Sequence, residues 1–74
     1  MNLSNLPIGK KGEISNLIAQ GKQRRRLLDL GLIPGTTVIA KRQSPSGDPI
    51  AYLIRGTVLA LRKEETDLVE LLSY

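Results

Sequence analysis

The chain has 74 residues, enough for one domain with a small core. It contains no Cys and no His, which excludes disulfides, zinc fingers, thiol nucleophiles and the Ser-His-Asp relay. Lys and Arg number 11 against 7 Asp and Glu, a formal charge of +4 that suits an acidic partner: nucleic acid, an anionic leaflet or a protein's carboxylates. No stretch approaches the roughly 18 apolar residues of a membrane span. Met1 to Gly12 lacks the apolar core of a signal peptide, so a cytoplasmic chain without membrane insertion is expected.

Leu3, Leu6 and Ile8, with Pro7 and Gly9 among them, read as an extended arm that tucks apolar side chains under the domain. Glu13 to Ile18 places Ile14 and Ile18 on one face, with Asn16 as the exception, and reads as a half-buried strand. Gln20-Gly21-Lys22 is a break. Gln23 to Leu30 are good helix formers. Gly31 falls where a helix must enter the left-handed region to stop, and Leu27 and Leu32 are then the apolar pair that closes a Schellman motif. Pro34 cannot continue a helix, and Gly35 opens a turn before the β-branched run Thr36 to Ile39. Asp29 breaks a local rule, because a helix C-terminus favours cations. Arg25 and Arg26 are near enough to offset it, as a solvated pair or as part of an interface.

Thr37 to Arg42 is a strand with Val38 and Ala40 on one face, and Ser44 to Pro49 is a loop by composition. Ile50 to Ile54 and Thr57 to Leu61 flank Arg55-Gly56 alone, which reads as a tight hairpin. A two-residue loop opposes Ile54 to Thr57, Tyr52 to Leu59 and Ile50 to Leu61, so Ile50, Tyr52, Ile54, Leu59 and Leu61 share the core face. Ala51, Leu53, Val58 and Ala60 then point outward, joined by Ile39, as an apolar patch of the kind that marks an interface. The competing expectation is that the helix or the arm covers that face. Arg62 to Asp67 is one polar turn, and Leu68 to Leu72 a last strand with Val69 and Leu71 inward. The fold class is mainly β: an SH3-like small barrel of about five strands with a short helical insertion after the first. Closing such a sheet protects its edges.

Two motifs carry a resemblance. One is Arg26-Leu27, Leu30-Gly31-Leu32 and Pro34-Gly35-Thr36; the other is Gly47-Asp48-Pro49-Ile50, Arg55-Gly56 and Leu59-Ala60-Leu61-Arg62. In this order and on a chain of this length, the sequence resembles the FeoA family, small cytoplasmic accessory proteins of bacterial ferrous-iron uptake, from Leu3 to about Leu71. The resemblance implies an SH3-like barrel and a regulatory role beside the membrane transporter FeoB, which has its own GTP-binding domain. It departs at Thr66, where the family usually has Ala. A related SH3-like domain ends iron-dependent repressors of the diphtheria-toxin-repressor type. The alternative reading is therefore a small basic nucleic-acid-binding or transcription-regulatory module.

The residues weigh these classes. No nucleophile–base pair, phosphate loop or cofactor fingerprint is present, so neither an enzyme nor a cofactor is expected. Glu64, Glu65 and Asp67 are weak metal candidates, because adjacent carboxylates usually solvate a polar turn and lack the softer ligands Fe²⁺ prefers. A Pro-rich-peptide groove needs aromatics, and the chain has 2 Tyr, one of them Tyr74 near the end, with no Trp or Phe. Arg24-Arg25-Arg26 with Lys41-Arg42 could meet phosphates. Three consecutive arginines nevertheless span about 200° of a helix rather than one stripe, and stacking aromatics are nearly absent. A protein–protein adaptor without nucleic acid is the expectation that remains, with self-association left open. Its interface candidates are Arg25, Arg26, Asp29, Ile39, Ala51, Leu53 and Val58; Leu27, Gly31, Leu32, Pro34, Gly35 and Gly56 carry the structural motif.

Overall fold

A computed structural model describes residues 1–72; Tyr74 lies outside them. Five strands form one antiparallel sheet in the order β4-β3-β2-β1-β5. They are β1 (Lys11–Leu17), β2 (Thr37–Gln43), β3 (Ile50–Ile54), β4 (Thr57–Leu61) and β5 (Val69–Leu71). Helix α1 (Gly21–Asp29) follows β1, and the single turn α2 (Lys63–Thr66) precedes β5. Strand β1 divides its length between its two neighbours. Its first half pairs with β2, Lys11 opposite Ile39 and Glu13 opposite Thr37, and its second half pairs with β5, Ile14 opposite Leu71 and Leu17 opposite Val69.

The helix stop follows its capping chemistry. Gly31 has φ +97°. Its N–H donates to the Leu28 carbonyl at 3.0 Å, and that of Leu32 to the Leu27 carbonyl at 3.0 Å, the two bonds of a Schellman motif. Leu27 and Leu32 are both fully buried. Pro34 and Gly35 then occupy the centre of a turn closed by the Thr36 N–H on the Ile33 carbonyl. At the hairpin, Arg55 (φ +52°) and Gly56 (φ +81°) are both left-handed, as a type I′ turn requires. The three expected β3–β4 pairings, Ile54–Thr57, Tyr52–Leu59 and Ile50–Leu61, form together with the two between them, without a break.

Several expectations need correction. The N-terminal arm is not extended throughout: Leu3–Asn5 forms a 3₁₀ turn that buries Leu3, while Ile8 stays exposed. Strand β1 runs from Lys11 rather than Glu13, and a bulge between Ile14 and Asn16 shifts the alternation by one. Leu17 therefore points into the core, and Ile18 is 49% exposed. A bulge puts two residues opposite one, so strict period-two counting fails beyond it. Gly21 opens α1 instead of belonging to a break before it. Strand β5 is shorter than Leu68 to Leu72, and Leu72 is exposed. On the core face of the hairpin Tyr52, Ile54 and Leu61 are buried, whereas Ile50 and Leu59 are only partly so. Finally, closure is incomplete. β5 receives an isolated bridge from Asn2 to Glu70, and among the described residues β4 pairs with β3 alone.

Candidate interaction surface

The register of β2, β3 and β4 lines up a row across the outside of the sheet. Ile39 stands opposite Leu53, and Leu53 opposite Val58. A second row joins Ala51 to Ala60. Val58 is 54% exposed, Ala60 is exposed, and Ile39, Ala51 and Leu53 are half-buried. The arm does not reach this face: its 3₁₀ turn packs on β5 and α2. Nor do the leucines of α1, since Leu27 and Leu28 pack with the core on the inner side. Beside the Ala rows the surface dips into an apolar hollow of about 220 Å³ bounded by Arg42, Pro45 and Pro49. Chemically, this face offers shape and apolar area, with cationic stems at its border.

The charged candidates separate. Arg25 and Asp29 lie 3.9 Å apart with side chains 79% and 71% exposed, a geometry that contributes little. Arg26 does not join them. It reaches across to α2 and forms an ion pair with Glu65, whose side chain is mostly buried. Glu65 also accepts a hydrogen bond from the Arg62 N–H at 3.2 Å, so one carboxylate caps α2 and ties it to α1. The sequence alone did not join these two residues, because they belong to different helices. Asp48 was likewise missed as an anchor: its Oδ1 accepts from the Lys63 N–H at 2.9 Å, and Arg62 lies 3.7 Å from its Oδ2. A motif Asp one loop ahead of a polar turn is the signal that could have found it.

Glu64, Glu65 and Asp67 do not converge. With Glu65 on Arg26, Asp67 accepts hydrogen bonds from the Lys63 ammonium at 3.0 and 3.2 Å. The Ser4 hydroxyl, and after it Lys63, hold the Asp67 carboxyl below the usual carboxylate range. Among the described residues, no three metal-ligating side chains cluster. The isolated chain is expected to show no micromolar binding of Fe²⁺, Mn²⁺ or Zn²⁺ in anaerobic calorimetry. A stoichiometric heat of that affinity, lost in Glu64→Gln or Asp67→Asn, would refute this.

Under the sheet, a small cavity of about 180 Å³ lies among Ser4, Asp48, Ile50, Tyr52 and Thr66. The Tyr52 hydroxyl is buried without a hydrogen-bond partner among the described residues. Burial pushes its phenol up, the nearby Asp48 charge adds to this, and the Thr66 hydroxyl opposes it. That Thr66 hydroxyl is placed for the Lys63 carbonyl, to which it donates at 3.3 Å, and so lies near the phenol without a bond of good geometry to it. Thr66 is itself 2% exposed, so its hydroxyl is held inside the domain.

The profile of the FeoA domain matches residues 1–71. A fusion protein of Porphyromonas gingivalis, an Fe(2+) transport protein A joined to the Fe(2+) transporter FeoB, is 31% identical over 70 residues. That alignment covers 95% of this chain but 8% of the fusion protein. Iron(II) transport protein A from Clostridium thermocellum superposes with a TM-score of 0.92 at 35% identity, over 96% of this chain and 44% of that one. A FeoA of Stenotrophomonas maltophilia, described as a procaryotic SH3 domain protein and solved with zinc, gives a TM-score of 0.85 at 29% identity, over 96% and 88%. No helix among the described residues is long and apolar enough to cross a membrane.

Proposed function

Because this chain belongs to the FeoA domain family, which is associated with ferrous iron transport, we propose that it regulates iron uptake by direct contact with a FeoB-type transporter and its GTP-binding domain. The observation that carries this is the fusion: in Porphyromonas gingivalis a similar domain and FeoB share one chain. Fusing two modules raises their effective concentration, which is useful only where they meet. The outer face of β2, β3 and β4, with Ile39, Ala51, Leu53 and Val58, supplies a docking surface of the right character, and the charge of +4 supports an acidic counterpart. In this reading the chain carries no iron and catalyses nothing. Arg25, Arg26 and Asp29 lie at α1, where Arg26 serves mainly to hold α2.

The test is co-purification of the tagged chain with a detergent-solubilised FeoB-type transporter, run beside a gel shift with duplex DNA and RNA. Recovery of the transporter is expected, with no shift at physiological salt. A salt-sensitive shift with no transporter recovered would establish the nucleic-acid module instead.

A further inference from the structure

Among the described residues, strand β4 has one edge that no other strand pairs. A two-residue turn makes Ile54–Thr57, Tyr52–Leu59 and Ile50–Leu61 the bonded pairs of the hairpin. The N–H and C=O groups of Val58 and Ala60 therefore turn away from β3. Both residues are exposed, and among the described residues no backbone hydrogen bond from outside the hairpin reaches either. β4 also lacks the usual devices that discourage strand pairing: Thr57–Leu61 contains no charge, no Pro and no bulge. Helix α1 flanks this edge without covering it. Gln23 and Arg26 face Ala60 and Arg62 across an open groove of about 590 Å³. A helix has its interior backbone groups already paired and cannot complete a sheet.

We propose that this edge receives an extended segment of a partner protein as a sixth strand, seated between β4 and α1, with a carboxylate at the end that meets the hairpin tip. Charge selects one flank. Arg55, exposed at the hairpin tip, marks the end for a carboxylate; at the other end Arg62 already faces Asp48 at 3.7 Å and the groove also carries Glu64 and Glu65, so no single charge is selected there. Alternate side chains of the segment extend the Ile39–Leu53–Val58 row on the outer face, so short apolar or β-branched residues fit there. A second copy of this chain fits worse. In the symmetric register that sets Val58 of one copy opposite Ala60 of the other, β4 of the second copy, uncharged from Thr57 to Leu61, supplies no carboxylate for Arg55. The inference deepens the proposed function and rests on it only for the identity of the partner.

The probe is a capped peptide, Asp-Thr-Val-Thr-Val-Thr-Glu, titrated into the ¹⁵N-labelled full chain. Saturable amide shifts centred on residues 57–61 are expected. The same peptide N-methylated at alternate residues keeps its side chains but loses strand pairing, and should bind roughly ten-fold more weakly or worse. Lysine-ended peptide should also weaken. Ala60→Pro removes an outward donor that β3 does not use, and a preceding extended residue tolerates it; it should abolish the shifts while the fold persists. No saturable shifts, equal binding of the methylated peptide, or a dimer in sedimentation that Ala60→Pro dissolves would each overturn the inference. Transporter capture separates the two claims. Capture by the parent and equally by Ala60→Pro sinks the edge and leaves the function standing. No capture by the parent sinks the function, and the peptide titration still decides the edge.

Discussion

Tyr52→Ala is expected to destabilise the domain by about 3–5 kcal/mol, the range for truncating a large buried aromatic, while Leu53→Lys leaves it folded. Tyr52 is fully buried and faces the core with Ile54 and Leu61; Leu53, its neighbour, stands on the outer row between Ile39 and Val58. Adjacent residues of a strand point to opposite faces, so the two changes read the register directly. A domain this small has about 5 kcal/mol or little more to lose, and Tyr52→Ala should be largely unfolded at moderate temperature. Tyr52→Phe is the control. It keeps the ring and removes a hydroxyl that has no partner among the described residues, so its stability should match or exceed the parent's. Leu53→Lys should instead weaken transporter capture. Circular dichroism melts decide the matter: if Leu53→Lys is the variant that unfolds, the outer face is core and its docking role falls.

Gly31→Val is expected to be the most damaging change outside the core. At φ +97° a β-branched residue is a backbone outlier, and holding one there costs about 2–3 kcal/mol. Space is not the obstacle for the first carbon: a Cβ at Gly31 would meet Ile54 Cγ2 at 3.6 Å and Arg55 Cδ at 3.7 Å, ordinary contacts. The strain lies in the backbone, and the branch adds crowding against Ile54. Relief by rotating Gly31 would break the two bonds that end α1 and pull Leu32 from the core. At about 4–8 °C per kcal/mol for a domain this size, the melting midpoint should fall by roughly 10–20 °C. Gly31→Ala should fall between the two. A valine variant melting with the parent would show that α1 ends by another route.

What the sequence made legible was chemistry confined to a few neighbouring residues. Gly31 with Leu27 and Leu32 announced the helix stop, and Arg55-Gly56 announced the hairpin and with it the whole β3–β4 register. The FeoA resemblance was legible in the same two motifs. What escaped depends on partners far along the chain. The β1 bulge shows in the pairing of β1 with β5, and period-two counting around Ile14 and Asn16 does not reveal it. Arg26 looked like a companion for Asp29 because only i+3 and i+4 neighbours can be read from a helix; its partner is Glu65. The open side of β4 escaped for a related reason, since a barrel plan implies closure and only the traced strands show where it stops short.

The division of β1 between two neighbours also orders the entropic cost of building the sheet. β3 and β4 meet across two residues, and β2 reaches β3 across one short loop. Each closure restricts little chain, and closure cost climbs with the length enclosed. The second half of β1 has no such near neighbour. Its pairing with β5 joins Ile14 to Leu71 and Leu17 to Val69, with the Met1 carbonyl accepting from the Leu71 N–H at 2.7 Å, and so encloses nearly the entire polypeptide. That pairing gains most from β2, β3 and β4 having already shortened the distance between the chain's two ends. Although β1 is first in sequence, its second half is the part whose ordering depends on the greatest length of chain.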